Sequence, residues 1–139
     1  GCETWTVRGN DAAALDTWWN KKLRQCIGIT KHDHVRTGDL LQRTGEQPLS
    51  DRVAQRQLRY FGHIVRYPPN RWVRLAAAQT GGSTRLGQGA TTTWRGEIEK
   101  LLVRRRAAPR DAADRDLWKG IVTGTKTGTG AKRPEDLTI

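Results

Sequence analysis

Residues 50–74 read Ser-Asp-Arg-Val-Ala-Gln-Arg-Gln-Leu-Arg-Tyr-Phe-Gly-His-Ile-Val-Arg-Tyr-Pro-Pro-Asn-Arg-Trp-Val-Arg. Drawn as a helix at about 100° per residue, this stretch divides into two faces. Arg52, Arg56, Arg59, His63 and Arg66 fall within about 40° of one line along the helix. Ala54, Leu58, Phe61 and Val65 share a second line roughly 180° away, widened by Val53 and Ile64. One face requires a core, and the other carries a cation on nearly every turn. A regular row of cations suits a partner with a regular row of negative charge, of which nucleic acid is the commonest.

Composition sharpens that expectation. Twenty-five Lys and Arg against fourteen Asp and Glu give the 139-residue chain a net charge of +11, which argues for a polyanionic partner and says little about fold. The apolar fraction of 35% is below the usual range of about 45–50% unless glycine is counted, so the core is expected to be small. An anionic membrane surface is the rival partner, and it needs a basic helix whose apolar face has no competing core. Several segments here carry matching apolar stripes, which favours mutual packing, and no apolar run reaches membrane-spanning length. Cys2 and Cys26 are expected as free thiols in a reducing compartment, which implies an intracellular location, cytoplasmic or nuclear. The chain contains no Met and shows no signal-peptide pattern, and is expected to be a fragment of a longer reading frame.

The pattern predicts a mainly α fold: a small bundle of about three helices, a flexible linker and two further helices. The first helix is predicted over 11–27, with Asn10 as N-cap, Gly28 as the stop, and Leu15, Trp18, Trp19, Leu23, Cys26 and Ile27 on one side. A short helix over 37–43 follows, ended before Gly45. Ser50 is expected to cap the third helix, which should stop near Arg66 because Pro68-Pro69 forbids continuation. These elements form a helical unit over 1–77. Residues 78–93 are rich in Gly, Thr and Ser and read as a linker. A helical segment over 94–122 comprises one helix at 94–106 and another at 111–122 capped by Asp111, with a disordered tail over 123–139. Glu3–Arg8 is at most one short edge strand.

Six arginines and no acidic residue lie from Arg52 to Arg74, whereas an ordinary solvated helix face mixes both signs. Arg52, Arg56, Arg59, His63, Arg66, Arg71 and Arg74 are therefore the candidate nucleic-acid-binding residues. If five or six phosphates are neutralised, log affinity should fall with log salt at a slope of about −4 to −5 for duplex DNA. Such contacts would carry no base identity. Tyr67 or Trp72, beside Arg71 and Arg74, could stack on a base, whereas most of the six tryptophans read as packing anchors. Cys26, His32, His34 and His63 lack the paired spacing of a zinc site, so no metal is expected. No phosphate-binding glycine loop occurs. Asp111 and Asp114 fit helix capping better than ligation, so no catalytic residue is assigned.

The same residues carry a family resemblance. Gly1-Cys2-Glu3-Thr4-Trp5-Thr6-Val7 resembles the Tyr-Gly-Cys-Glu-Thr-Trp-Thr-Leu segment of non-LTR (LINE-type) retrotransposon reverse transcriptases. Leu23-Arg24-Gln25-Cys26-Ile27-Gly28-Ile29 is similar to that family's Leu-Arg-Arg-Ile-Leu-Gly-Ile. Residues 43–50 with Gln57-Leu58-Arg59-Tyr60-Phe61-Gly62-His63-Ile64-Val65-Arg66 resemble its Arg-Arg-Leu-Arg-Trp-Phe-Gly-His-Val-Leu-Arg block. Thr92-Thr93-Trp94-Arg95 and Asp116-Leu117-Trp118 look like its later Thr-Trp-Arg and Asp-x-Trp, in the same order. The resemblance covers residues 1 to about 120. It departs over residues 85–91, Arg-Leu-Gly-Gln-Gly-Ala-Thr, where the family usually has Gly-Arg-Pro with neighbouring arginines.

The resemblance implies the thumb and the start of the carboxy-terminal region of an RNA-directed DNA polymerase, following the palm. Such a thumb grips the template–primer duplex, an RNA/DNA hybrid or duplex DNA, through its phosphates. The partner within the parent polypeptide would be the palm. The family's catalytic aspartates and their Mg2+ belong there, so no cofactor is expected in this chain and the chain alone is expected to be non-catalytic. Two other readings remain. A stand-alone helix-turn-helix-like module would read bases with residues 37–66, although Ser50-Asp51 would put an acid at the start of its recognition helix. A Trp-rich interaction bundle would bind protein and self-associate.

Overall fold

The computed structural model describes residues 1–78 and 93–130. All regular structure among these residues is helical, as the sequence pattern predicts. The α-helices are α1 (Gly9–Cys26), α2 (Thr37–Thr44), α3 (Leu49–Arg66), α4 (Trp72–Ala78), α5 (Trp94–Arg104) and α6 (Arg115–Thr123). The edge strand considered for Glu3–Arg8 is replaced by one short 3-10 turn, Cys2–Thr4. No helix among the described residues is long and apolar enough to cross a membrane.

The chain divides into two compact units, and the division falls inside α3. The first comprises residues 7–54. In it α1 begins earlier than an Asn10 cap would allow, because the Asp11 carboxylate accepts the Arg8 N–H at 3.0 Å. Gly28 at φ 69° follows its end, and Gly45 at φ 65° closes α2. Ser50 does not act as the expected cap. Its N–H and hydroxyl both reach the Asp16 carboxylate of α1, at 2.8 and 2.7 Å, and α3 starts at Leu49. The core of this unit is thin, built on Leu23, Leu40 and Val53. Of the apolar stripe expected on α1 only Leu23 is fully buried, while Trp18 is 52% exposed and Ile27 also faces solvent. The eight residues of α2 are too few to cover eighteen on α1.

The second unit comprises residues 1–6 and the chain from Gln55 onward. Its core gathers Leu58 and Phe61 of α3, Ile98 and Leu102 of α5, and Trp118, Ile121 and Val122 of α6. Each fully buried side chain of this size contributes about 1.5–3 kcal/mol, so this unit holds most of the apolar stabilisation. Phe61 sits between two indoles, 6.5 Å from Trp94 and 6.2 Å from Trp118. Residues of the 94–122 segment thus share a core with the second part of α3. The apolar face of α3 is the wall on which α5 and α6 close. Residues 79–92, most of the expected linker, lie outside the described residues.

Polar groups tie the ends of this unit down. The Trp94 indole N–H donates to the Glu3 carbonyl at 2.8 Å, and the buried Gln57 amide donates to the Trp5 carbonyl at 2.7 Å. Pro68-Pro69 ends α3 as expected, but helix resumes at Trp72 in an α4 the sequence pattern did not separate. Asp114, not Asp111, caps α6, its Oδ1 accepting the Asp116 and Leu117 N–H groups at 2.9 and 3.0 Å. Asp111 is buried and accepts the Ala108 N–H at 2.9 Å, the Thr129 N–H at 3.1 Å and the Thr129 hydroxyl at 2.6 Å. That clasp orders the first part of the expected tail, whereas residues 131–139 lie outside the described residues.

The closest approach in this core is at Gly62. A Cβ placed there would overlap the Trp118 indole, whose N–H donates to the Leu58 carbonyl at 3.1 Å. Gly38 in α2, by contrast, has open space around it. Gly62→Ala is expected to lower the unfolding free energy by about 1–3 kcal/mol through overpacking. Gly38→Ala should raise it, by up to about 1 kcal/mol, by helix propensity. Urea unfolding of the full chain followed by circular dichroism checks both, and equal effects would contradict the Gly62 contact.

Candidate nucleic-acid interface

The helical period of α3 sets its cations in a row, and the surrounding chain decides which of them remain available. Arg52, in the first unit, is engaged. Its guanidinium pairs with Glu46 and lies over the Trp19 ring, 5.5 Å from the centroid. The remaining α3 cations belong to the second unit. Arg56 is 63% exposed in its side chain and only 3.8 Å at closest from Glu3 Oε1, a surface pair worth little. Arg59 is exposed and has no carboxylate within ion-pair distance among the described residues. His63 is exposed as well, its Nδ1 3.4 Å from Arg66 Nη2.

Arg66 is half-buried and fixed. Its Nη1 donates to the Ala112 carbonyl at 2.8 Å. Burial lowers its guanidinium from the ordinary arginine value, and the positive charge of Arg115 lowers it further. Both effects disfavour the cation, which stays charged at neutral pH because arginine titrates so high.

Arg71 and Arg74 serve the turn between α3 and α4. The Arg71 guanidinium lies 5.1 Å from the Tyr67 ring centroid, and Arg74 Nη1 donates to the Tyr67 carbonyl at 2.6 Å. The Arg71 guanidinium thus occupies one face of the Tyr67 ring considered for base stacking, and the residue remains exposed. Trp72 is the freer aromatic, 84% exposed. Of the seven expected contacts, the structure brings Arg56, Arg59, His63 and Arg66 together on one face of the second unit.

Two further cations were missed. Arg115 and Lys119, one turn apart on α6, face Arg59, His63 and Arg66 across a cleft of about 300 Å³ floored by Trp118 and Val122. The sequence signal was the i, i+4 spacing of two cations flanking Trp118. The spacing becomes informative only once Trp118 is docked on Gly62. Of the acidic residues near this cleft, Asp114 caps α6 and Asp111 accepts from Ala108 and Thr129, while Asp116 is exposed beside Arg115. The histidine and cysteine set Cys26, His32, His34 and His63 forms no group able to hold a metal ion among the described residues.

Compared with protein-family models, with curated proteins and with solved structures, the chain matches none.

Arg59 and Arg66 should separate in stability. Arg59→Gln removes an exposed, unpaired charge and should change the unfolding free energy by no more than about 0.5 kcal/mol. Arg66→Met leaves the carbonyl of the fully buried Ala112 without its donor and should cost about 1–3 kcal/mol. Denaturant titration of the two variants beside the unmodified chain measures the difference.

Proposed function

We propose that this chain binds nucleic acid through the phosphate backbone, using the row Arg56, Arg59, His63 and Arg66 on α3. The observation that carries the proposal is that these cations share one face in which only Arg56 has a carboxylate within reach among the described residues. From Arg56 to Arg66 the helix axis advances about 15 Å. One strand of a duplex presents about four phosphates over that length. Backbone contacts of this kind give affinity without base identity.

The finer reading is a thumb of a non-LTR retrotransposon RNA-directed DNA polymerase, with an RNA/DNA hybrid or duplex DNA as its ligand. Its support is the Arg59-Tyr60-Phe61-Gly62-His63-Ile64 block, in which every second or third residue has a distinct physical task. Phe61 and Ile64 are buried, Gly62 admits the Trp118 indole, and Arg59 and His63 face outward. In this reading the palm of the parent polypeptide is the partner that covers apolar surface such as Trp72, Val73 and Leu75 on α4. Polymerase catalysis and its Mg2+ reside in that palm, and the location is cytoplasmic or nuclear.

Fluorescence anisotropy of the full chain with a labelled RNA/DNA hybrid, a duplex DNA and a scrambled-sequence duplex across a salt series tests the proposal. The expected log–log salt slope on duplex DNA is about −3 to −4, for about four phosphates, with no preference between the two duplex sequences. Arg56→Glu with Arg59→Glu should abolish binding while leaving the helical signal intact. A loss of about 1–3 kcal/mol per changed base pair would instead support a base-reading module. Binding that ignores salt would sink the backbone proposal.

A further inference from the structure

The cleft between α3 and α6 has features that a solvated cationic surface lacks. Its walls come from two helices, with Arg59, His63 and Arg66 on one and Arg115 and Lys119 on the other. Its floor is the apolar edge of the core at Trp118 and Val122, both almost wholly buried. No carboxylate lies within ion-pair distance of Arg59, Arg66, Arg115 or Lys119 among the described residues, although Arg52, Arg95 and Lys100 each have one elsewhere. Arg59, Arg115 and Lys119 are exposed, so solvent screens their mutual repulsion, and an anion entering the cleft would meet donors on both walls. The Arg66 guanidinium is lowered from the ordinary arginine value first by burial and second by the charge of Arg115. Arg66 is also oriented in advance by the Ala112 carbonyl.

We propose that this cleft is a phosphate seat, in which one phosphodiester group of a bound nucleic-acid strand is held jointly by Arg59 and Arg66 of α3 and by Arg115 and Lys119 of α6. The inference rests on the nucleic-acid reading above and adds α6 to the binding surface. A phosphodiester fits because it is singly charged, tetrahedral and rich in acceptors, so donors can approach it from both walls. A row of isolated contacts along α3 would be additive, whereas a seat shared by two helices depends on both.

The test uses the full chain with a hybrid and a duplex of fixed length, comparing Arg115→Gln/Lys119→Gln with the unmodified protein across salt. Both positions are exposed, so the fold should persist, and circular dichroism verifies it. The double variant should weaken binding about tenfold and reduce the salt slope by about one unit, the share of one phosphate. Arg115→Lys/Lys119→Arg should retain the slope. Arg104→Gln, exposed at the end of α5, should leave the affinity nearly unchanged. A double variant equal to the unmodified chain, where Arg56→Glu/Arg59→Glu abolishes binding, overturns the seat and leaves the α3 reading standing. Absence of salt-dependent binding by the unmodified chain overturns both. Loss confined to competition by inorganic phosphate, with strand binding unchanged, would make the cleft a free-anion site and overturn the proposal.

Discussion

The hydrogen bond from the Trp118 indole to the Leu58 carbonyl, made over Gly62, is the joint on which the second unit depends. In an α-helix the Leu58 carbonyl already accepts the N–H four residues on, which is that of Gly62. Side chains lean toward the helix N-terminus, so a side chain at 62 would shield this carbonyl. Glycine leaves its second lone pair open, and the indole fills the space and takes the bond together. Phe61, next in sequence, then meets both Trp118 and Trp94. One missing methyl group thus lets α6 reach α3, and α5 completes the core around the aromatic triad.

The same joint arranges the charge. Trp118 faces α3, and Arg115 and Lys119 lie three residues before and one after it on α6. Docking the indole therefore carries both cations to the edge where Arg59, His63 and Arg66 emerge. Some cations elsewhere are paired locally: Arg52 with Glu46, Arg95 with Glu99, Lys100 with Glu97. Exposed pairs of this kind add little stability and reduce the local positive charge. Other cations with no carboxylate within ion-pair distance among the described residues, such as Arg71, Arg74 and Arg104, lie elsewhere; the cleft is where four cations from two helices meet.

Much of the helical architecture was legible because period and punctuation are local signals. The apolar line through Leu58, Phe61 and Ile64 is the buried face of α3, and Gly45 and Pro68-Pro69 stop helices where their backbone preferences dictate. The failures share a cause. Ser50 lost its cap role to Asp16, thirty-four residues away, and Arg52 lost its freedom to Glu46. Asp111 looked like a cap and is a buried clasp for Thr129. The packing of α6 on α3 rests on Trp118 finding the space at Gly62 and the Leu58 carbonyl, sixty residues before it. Apart from the Arg52–Glu46 pair, which spans six residues, each depends on a contact between segments well separated in sequence, which periodicity cannot report. For the candidate site, the α3 half was visible as a stripe. The α6 half was not, since nothing local says that residue 118 docks at residue 62.

The cations of the cleft also differ in preparation. Arg66 is held by a carbonyl and lies beside His63, so its rotamers are already restricted in the folded chain. Ordering a long charged side chain costs up to about 2 kcal/mol, and for Arg66 that cost is met during folding. Arg59, Arg115 and Lys119 are exposed, and an anion held in the proposed seat would have to order them. A lysine at position 66 could donate to the Ala112 carbonyl, but it lacks the planar fork that lets one guanidinium bond a carbonyl and still offer donors to an anion. A fixed arginine at the centre and mobile cations around it would orient one phosphate while tolerating variation in the path of the strand. That division of labour is suited to a surface that recognises a backbone and ignores its bases.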